Sequence, residues 1–297
     1  MFIITYRNAF YILSGIIVGA AIAATAVFGL RFGVDFTGGA ITEVRYLAAR
    51  PALGELSPAL NDLLLSSYSL RPAGDDRYIL RTRDLSEEER QAVENALSLG
   101  GEKDLVVERF NSIGPVLGTE LRNKAFVAIG VVVILTVLFI AFVFRKVSEP
   151  VSSFKYGLIA IIALIHDIVV PVGVFAVLGA VAAVEIDALF VSALLAILGY
   201  SINDTIVVFD RVRENLRHNQ ELNQKEDFAL TVGKSLRQTF VRSLNTSVTI
   251  ALVLLALLFF GGESTKLFAL ALLIGTVAGA YSSIFLATPL LVTVERW

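Results

Sequence analysis

Six separate runs of apolar residues, each more than twenty residues long, decide what this chain can fold into. They lie at 9–30, 124–144, 155–180, 187–209, 241–261 and 266–293. A helix of about 20 apolar residues crosses ~30 Å of hydrocarbon, and lipid offers no partner for any backbone group left outside a helix or closed barrel. The runs therefore predict six membrane-spanning helices. Composition agrees: 56% of residues are hydrophobic and 18% charged, where soluble domains carry about 25% charged residues. The first run, behind Arg7, is longer than the apolar region of a signal peptide. It closes on Gly29-Leu30-Arg31 with no A-x-A site, so it reads as an uncleaved span.

Segment 31–123 is different, rich in Arg, Asp and Glu with the patterning of a soluble domain. Basic residues give its side of the membrane. Arg145, Lys146 and Lys155 flank the loop after the second span, and Arg211, Arg213, Arg217, Lys225, Lys234, Arg237 and Arg242 crowd the segment between the fourth and fifth. The opposite short loops hold Glu185 and Asp187, or Glu263 and Lys266. Excess Lys and Arg marks cytoplasmic loops, so both termini are expected in the cytoplasm and 31–123 outside. The expected organisation is a first transmembrane helix in 1–30, an extracytoplasmic domain in 31–123, and helices two to six in 124–297 with a basic cytoplasmic loop at 210–240 facing anionic lipid.

The outside segment reads as an α+β domain. Val44 and Tyr46 alternate with Glu43 and Arg45 as a strand does; Ser57-Pro58 starts a helix with Leu60, Leu63 and Leu64 on one face. Strands follow near 67–72 and 77–83. Ser86 and Glu89 form a capping box ahead of Val93, Ala96 and Leu97, Gly100-Gly101 stops that helix, and Leu105 to Phe110 is a last strand. The order β-α-β-β-α-β is ferredoxin-like. The fold class is thus a six-helix membrane bundle with an inserted ferredoxin-like α+β domain.

Ionisable groups inside hydrocarbon are costly and usually face a bundle interior. His166-Asp167 lies about twelve residues, or ~18 Å, inside the third span, with Pro171 one turn later removing the donor for the Asp167 carbonyl. In the fourth span Asp204 follows Gly199, Tyr200, Ser201 and Asn203, and Arg242 opens the fifth. Each has a plain structural alternative: a neutral acid bonded to a neighbouring helix, a satisfied His–Asp pair, an arginine snorkelling to the surface. Together they are the parts of a proton relay. Gly15 and Gly19, and Ala271, Gly275, Gly279 and Ser283, recur every four residues and suit close helix packing.

Other chemistries find no support. There is no cysteine, only two His, no Gly-rich loop with Lys-Ser/Thr and no His-Glu-x-x-His. No metal, cofactor or enzymatic activity is expected, and a net charge of −2 suggests no nucleic-acid partner. Asp167 and Asp204 as the paired acids of an intramembrane protease stay a formal alternative.

Four motifs carry a resemblance. Gly33-Val34-Asp35-Phe36-Thr37-Gly38-Gly39 resembles the signature following the first span of the SecD and SecF subunits of the Sec protein-export machinery. Ser112-Ile113-Gly114-Pro115-Val116-Leu117-Gly118-Thr119-Glu120-Leu121 resembles the next, His166-Asp167 a third, and Leu198 to Asn215, with its Asn203-Asp204 and Asp210-Arg211-x-Arg213-Glu214-Asn215, a fourth in its SecF-like form. The resemblance implies a multi-pass subunit of the bacterial inner membrane. It implies pairing with a SecD-like subunit beside the SecYEG channel, and use of the proton gradient (sodium in some relatives) to help draw the translocating polypeptide across. It also implies that Asp204 is the intramembrane acid and Arg242 its partner. A proton-driven small-molecule or lipid exporter of the same superfamily, or a purely structural stabiliser of the channel, remains the alternative.

Overall fold

The computed structural model describes residues 2–63, 65, 68–143 and 152–295. Leu64, Ser67, Arg145 and Lys146 of the expectations above lie outside the described residues. In chain order the elements are α1 (Phe2–Thr5), α2 (Arg7–Phe28), α3 (Val34–Thr37), β1 (Gly39–Tyr46), α4 (Leu53–Asn61), β2 (Ser69–Ala73), β3 (Arg77–Thr82), α5 (Glu87–Leu97) and β4 (Leu105–Ile113). They continue with α6 (Pro115–Val143), α7 (Ser153–Ala182), α8 (Ala188–Glu221), α9 (Phe228–Phe260), α10 (Glu263–Tyr281), a π-helical turn (Ser282–Ala287) and α11 (Thr288–Glu295). Two compact units result: Met1–Arg31 with Phe126–Trp297, and Phe32–Ala125.

Six helices are long and apolar enough to cross a membrane: α2, α6, α7, α8, α9, and α10 continuing into α11. This is a multi-pass membrane protein. Burial divides the spans. About half of the most apolar window is buried in α7, α8 and α10–α11 (50%, 44% and 56%), against 6% in α2 and in α6. Polar groups on the first three can therefore be shielded by protein, which is where His166, Asp167 and Asp204 stand.

The basic segment 210–240 is not a loop over most of its length. Helix α8 runs on to Glu221 and α9 starts at Phe228, leaving only 222–227 between them. Neither Gly nor Pro interrupts 210–221, and Arg211–Glu214, Arg213–Asp210 and Arg217–Glu221 pair at helical spacing. The helices also bond across the hairpin: Asn215 donates to Ser235 Oγ at 2.8 Å and Asn219 to Thr231 Oγ1 at 3.3 Å. A high charge density resembled a loop here because charge was balanced one turn away.

Packing of α2 also departs from expectation. An added Cβ at Gly15 or Gly19 would meet nothing within 4 Å, whereas one at Gly173 of α7 would come within 2.4 Å of Ala21. Helix α2 thus packs on α7 at Ala21, and the two glycines face out of this chain. On α10 the stripe does pack: a Cβ at Gly275 would overlap Ile197 of α8, and one at Gly279 would press Ser201 at 3.1 Å.

In the second unit the strands run in the order β2-β3-β1-β4, every neighbour antiparallel. Val44, Tyr46, Tyr78 and Leu80 from the sheet meet Leu56, Leu60, Val93 and Leu97 from α4 and α5. The two buried tyrosines satisfy their hydroxyls on backbone, Tyr46 on the Leu97 carbonyl and Tyr78 on that of Pro51, both at 2.8 Å. Arg77 stands 3.5 Å from Glu43 and 3.2 Å from Glu108, which also pairs with Arg45 at 2.6 Å. Helix α4 begins at Leu53 rather than at Ser57-Pro58. Pro58 forgoes one bond inside the helix, while Leu56 and Leu60 on either side bury fully and hold the turn in place. The Ser86/Glu89 capping box is present, and Arg83 beside Glu89 holds its carboxyl down at about 2, so the cap stays charged.

Candidate functional site

Several buried polar side chains of the membrane unit meet where α7, α8, α9 and the π turn come together. Asp167 is fully buried. Its Oδ1 lies 2.9 Å from His166 Nδ1, and its Oδ2 accepts hydrogen bonds from Ser201 Oγ on α8 and from Ser282 Oγ at 2.8 Å. A carboxylate this deep needs such donors, because an unpaired buried charge costs several kcal/mol. A π-helical turn, a feature common at functional sites, lies here, and Ser282 and Ser283 are both fully buried in it. Ser283 Oγ is 2.8 Å from Thr205 Oγ1 and donates to the Ser201 carbonyl at 3.4 Å. The His166 ring stacks on Tyr281 at 5.8 Å.

Asp204 is reached from the same face of α8, since Ser201, Asp204 and Thr205 fall at i, i+3 and i+4. It is buried, and its Oδ2 accepts from Ser247 Oγ of α9 at 3.2 Å. A cavity of about 30 Å³ lies beside it, lined by Ser201, Ser247, Thr276 and Gly279 among others.

Arg242 is not brought to Asp204. It is exposed, and no ion pair joins the two among the described residues. The phase of α9 explains this: Ser247, which holds Asp204, is five residues on, about 140° around the helix. Arg242 shares its face with Asn245, Thr246 and Thr249, all exposed, and Tyr200, Asn203 and Gly199 are exposed on α8. Sequence reasoning missed Ser247 and Ser282 and took Ser283 for packing. A signal existed for the first: Thr231, Ser235, Thr239, Ser243 and Ser247 recur every fourth residue and all are buried.

The glycine motifs form a second constellation, within the Phe32–Ala125 unit. Gly33 precedes α3, and Asp35 and Phe36 are buried in it. Asp35 Oδ1 accepts from Asn111 of β4 at 3.1 Å, and Phe36 meets Phe32 edge-to-face. Gly38 and Gly39 then turn the chain into β1 at φ 78° and 126°. A Cβ at Gly38 would lie 2.6 Å from Pro115 Cα, one at Gly39 2.7 Å from the Thr82 carbonyl oxygen, and one at Gly118 2.7 Å from Gly38 N. The two motifs are therefore two backbones in contact; the Gly114 carbonyl carbon lies 3.3 Å from the Gly38 Cβ position, while Gly114's own Cβ position is open.

Both constellations fall within known families. The model of the SecD/SecF GG motif matches residues 23–46, and that of protein export membrane protein SecD/SecF, C-terminal, matches residues 93–297. The protein translocase subunit SecF of Thermobaculum terrenum is 43% identical over 99% of this chain and 94% of its own length. The protein translocase subunit SecDF of Thermus thermophilus is 34% identical over 95% of this chain, which spans 37% of that longer protein. A crystal structure of SecDF from Thermus thermophilus, described as a translocon-associated membrane protein, matches 99% of this chain at a TM-score of 0.80 and 30% identity, over 38% of its own length. With the model of the export family covering most of its length and SecF relatives matching it nearly end to end, the chain belongs to the SecF family of protein-export membrane proteins.

Proposed function

We propose that this accessory subunit of the Sec translocase couples the proton-motive force to movement of secreted polypeptides across the inner membrane. The observation that carries the reading is the hydrogen-bonded set His166–Asp167–Ser201–Ser282, next to Asp204–Ser247, buried among spans. Two acids inside an apolar bundle are retained against a cost of several kcal/mol, which fits residues that bind and release protons. One proton crossing 100 mV gains about 2.3 kcal/mol, enough to shift a two-state bundle several-tens-fold. Asp204 is the carrier in this account, and Asp167 with His166 extends the path. Arg242 engages the charged Asp204 only in a second state, in which α9 has turned.

The partner is a SecD-like subunit. Asn203, Tyr200, Arg242 and Asn245 are exposed on spanning helices, where lipid would leave them unsatisfied. A second helix bundle supplies the missing polar groups, and the SecDF relative contains more than half its length beyond the part matched here. The pair works beside the SecYEG channel on a translocating polypeptide. Antiparallel order β2-β3-β1-β4 supports reading the outside domain as ferredoxin-like. The test of partnership is purification in mild detergent. A SecD-like protein should come through in stoichiometric amount; a chain that purifies alone as a thermally robust monomer contradicts the reading.

Both termini lie in the cytoplasm and residues 31–123 outside. The absence of cysteine makes this easy to check. Asp75→Cys and Glu102→Cys, at exposed positions of the outside domain, should react with an impermeant maleimide on intact cells. Gln224→Cys, exposed in the α8–α9 connection, should react only after permeabilisation. The reverse pattern inverts the topology.

A further inference from the structure

Thr276 of α10 is used by nothing described so far. It is 7% exposed, and its Oγ1 is buried with no hydrogen-bond partner among the described residues. A hydroxyl in that condition is destabilising, and if its only role were packing, valine would fill the same space without the cost. Thr276 lines the cavity beside Asp204, whose wall also includes Ser201 and Ser247. The cavity's 30 Å³ exceeds the roughly 10–15 Å³ that one water requires, and a stable buried water needs two to four polar partners. Asp204, Thr276, Ser201 and Ser247 supply them. Gly279 makes the room: a Cβ there would press on Ser201 at 3.1 Å.

We propose that this cavity is a water-binding site, with Thr276 as the positioning residue that holds a water between Asp204 and Ser201. The inference rests on the relay proposed above and names its missing link. Asp204 and Asp167 share no direct hydrogen bond among the described residues; Ser201 bonds Asp167, Ser247 bonds Asp204, and the proposed water joins Asp204 to Ser201. Transfer then proceeds by exchange. Protonated Asp204 gives its proton to the water as the water passes one of its own to Ser201 Oγ, and the Ser201 hydroxyl proton moves to Asp167 Oδ2. Water and serine end neutral, and the net change is one proton moved from one carboxyl to the other.

The test uses the full chain with its SecD-like partner in proteoliposomes, comparing wild type, Thr276→Val, Thr276→Ser and Asp204→Asn. The carbonyl stretch of protonated Asp204 is assigned in infrared spectra as the band missing from Asp204→Asn. Thr276→Val should shift that band and lower gradient-stimulated export at least fivefold, while Thr276→Ser keeps both within twofold of wild type. An unshifted band in Thr276→Val overturns the water site. A shifted band with undiminished export overturns its place in the relay. Full stimulation in Asp204→Asn strikes the relay itself, and the water site is then judged by the band alone.

Discussion

Gly38→Ala should loosen the Phe32–Ala125 unit where its two glycine motifs meet, at a cost of about 2–6 kcal/mol. Two independent causes add. Gly38 sits at φ 78°, ψ 162°, a region open almost only to glycine, and forcing another residue there costs about 1–3 kcal/mol. Its Cβ would also lie 2.6 Å from Pro115 Cα, a backbone atom that cannot rotate away, and such overpacking costs about 1–3 kcal/mol more. Amide hydrogen exchange over 34–39 and 115–119 should accelerate more than tenfold. Gly114→Ala is the control: nothing lies within 4 Å of its Cβ, so a change within about 1 kcal/mol is expected. Equal behaviour of the two variants would show that the close approach of the motifs contributes nothing.

How much of this was legible beforehand depends on the range of the forces involved. The six spans could be read because hydrocarbon thickness imposes a length on each, and the element order of the α+β unit because alternation, capping box and glycine stop are local signals. The helical hairpin at 210–240 was not, since its dense charge reads as a solvated loop, and bonds such as Asn215–Ser235 join residues twenty apart. Asp167 was legible as a buried acid, but not its donors: Ser282 is 115 residues distant, and a serine in an apolar run looks like any small residue. The separation of Arg242 from Asp204 in this structure was hidden for a different reason. Nearness in sequence to the start of a span says how deep a residue lies, whereas contact with Asp204 depends on helix phase, and the phase puts Ser247 there instead. The contact of Gly38 with Pro115 likewise needed the fold; the motif alone showed only that glycine stood there.

Asp204→Asn should leave insertion and partner binding intact and abolish the stimulation of export by the proton gradient. Asparagine keeps the size of the side chain and an oxygen to accept from Ser247 at 3.2 Å, so the packing between α8 and α9 has no reason to change. What it loses is titration, and a group that cannot gain or lose a proton cannot convert about 2.3 kcal/mol per 100 mV into a shift between states. The variant must therefore separate presence from coupling: normal abundance, normal co-purification of the SecD-like subunit, no response to the gradient. The measurement is export of a secreted polypeptide into inverted membrane vesicles, with and without a protonophore. Wild-type vesicles should lose their stimulated fraction on adding the protonophore, and Asp204→Asn vesicles should export at one unstimulated rate in both conditions. Full protonophore-sensitive stimulation in the Asp204→Asn vesicles would contradict the account.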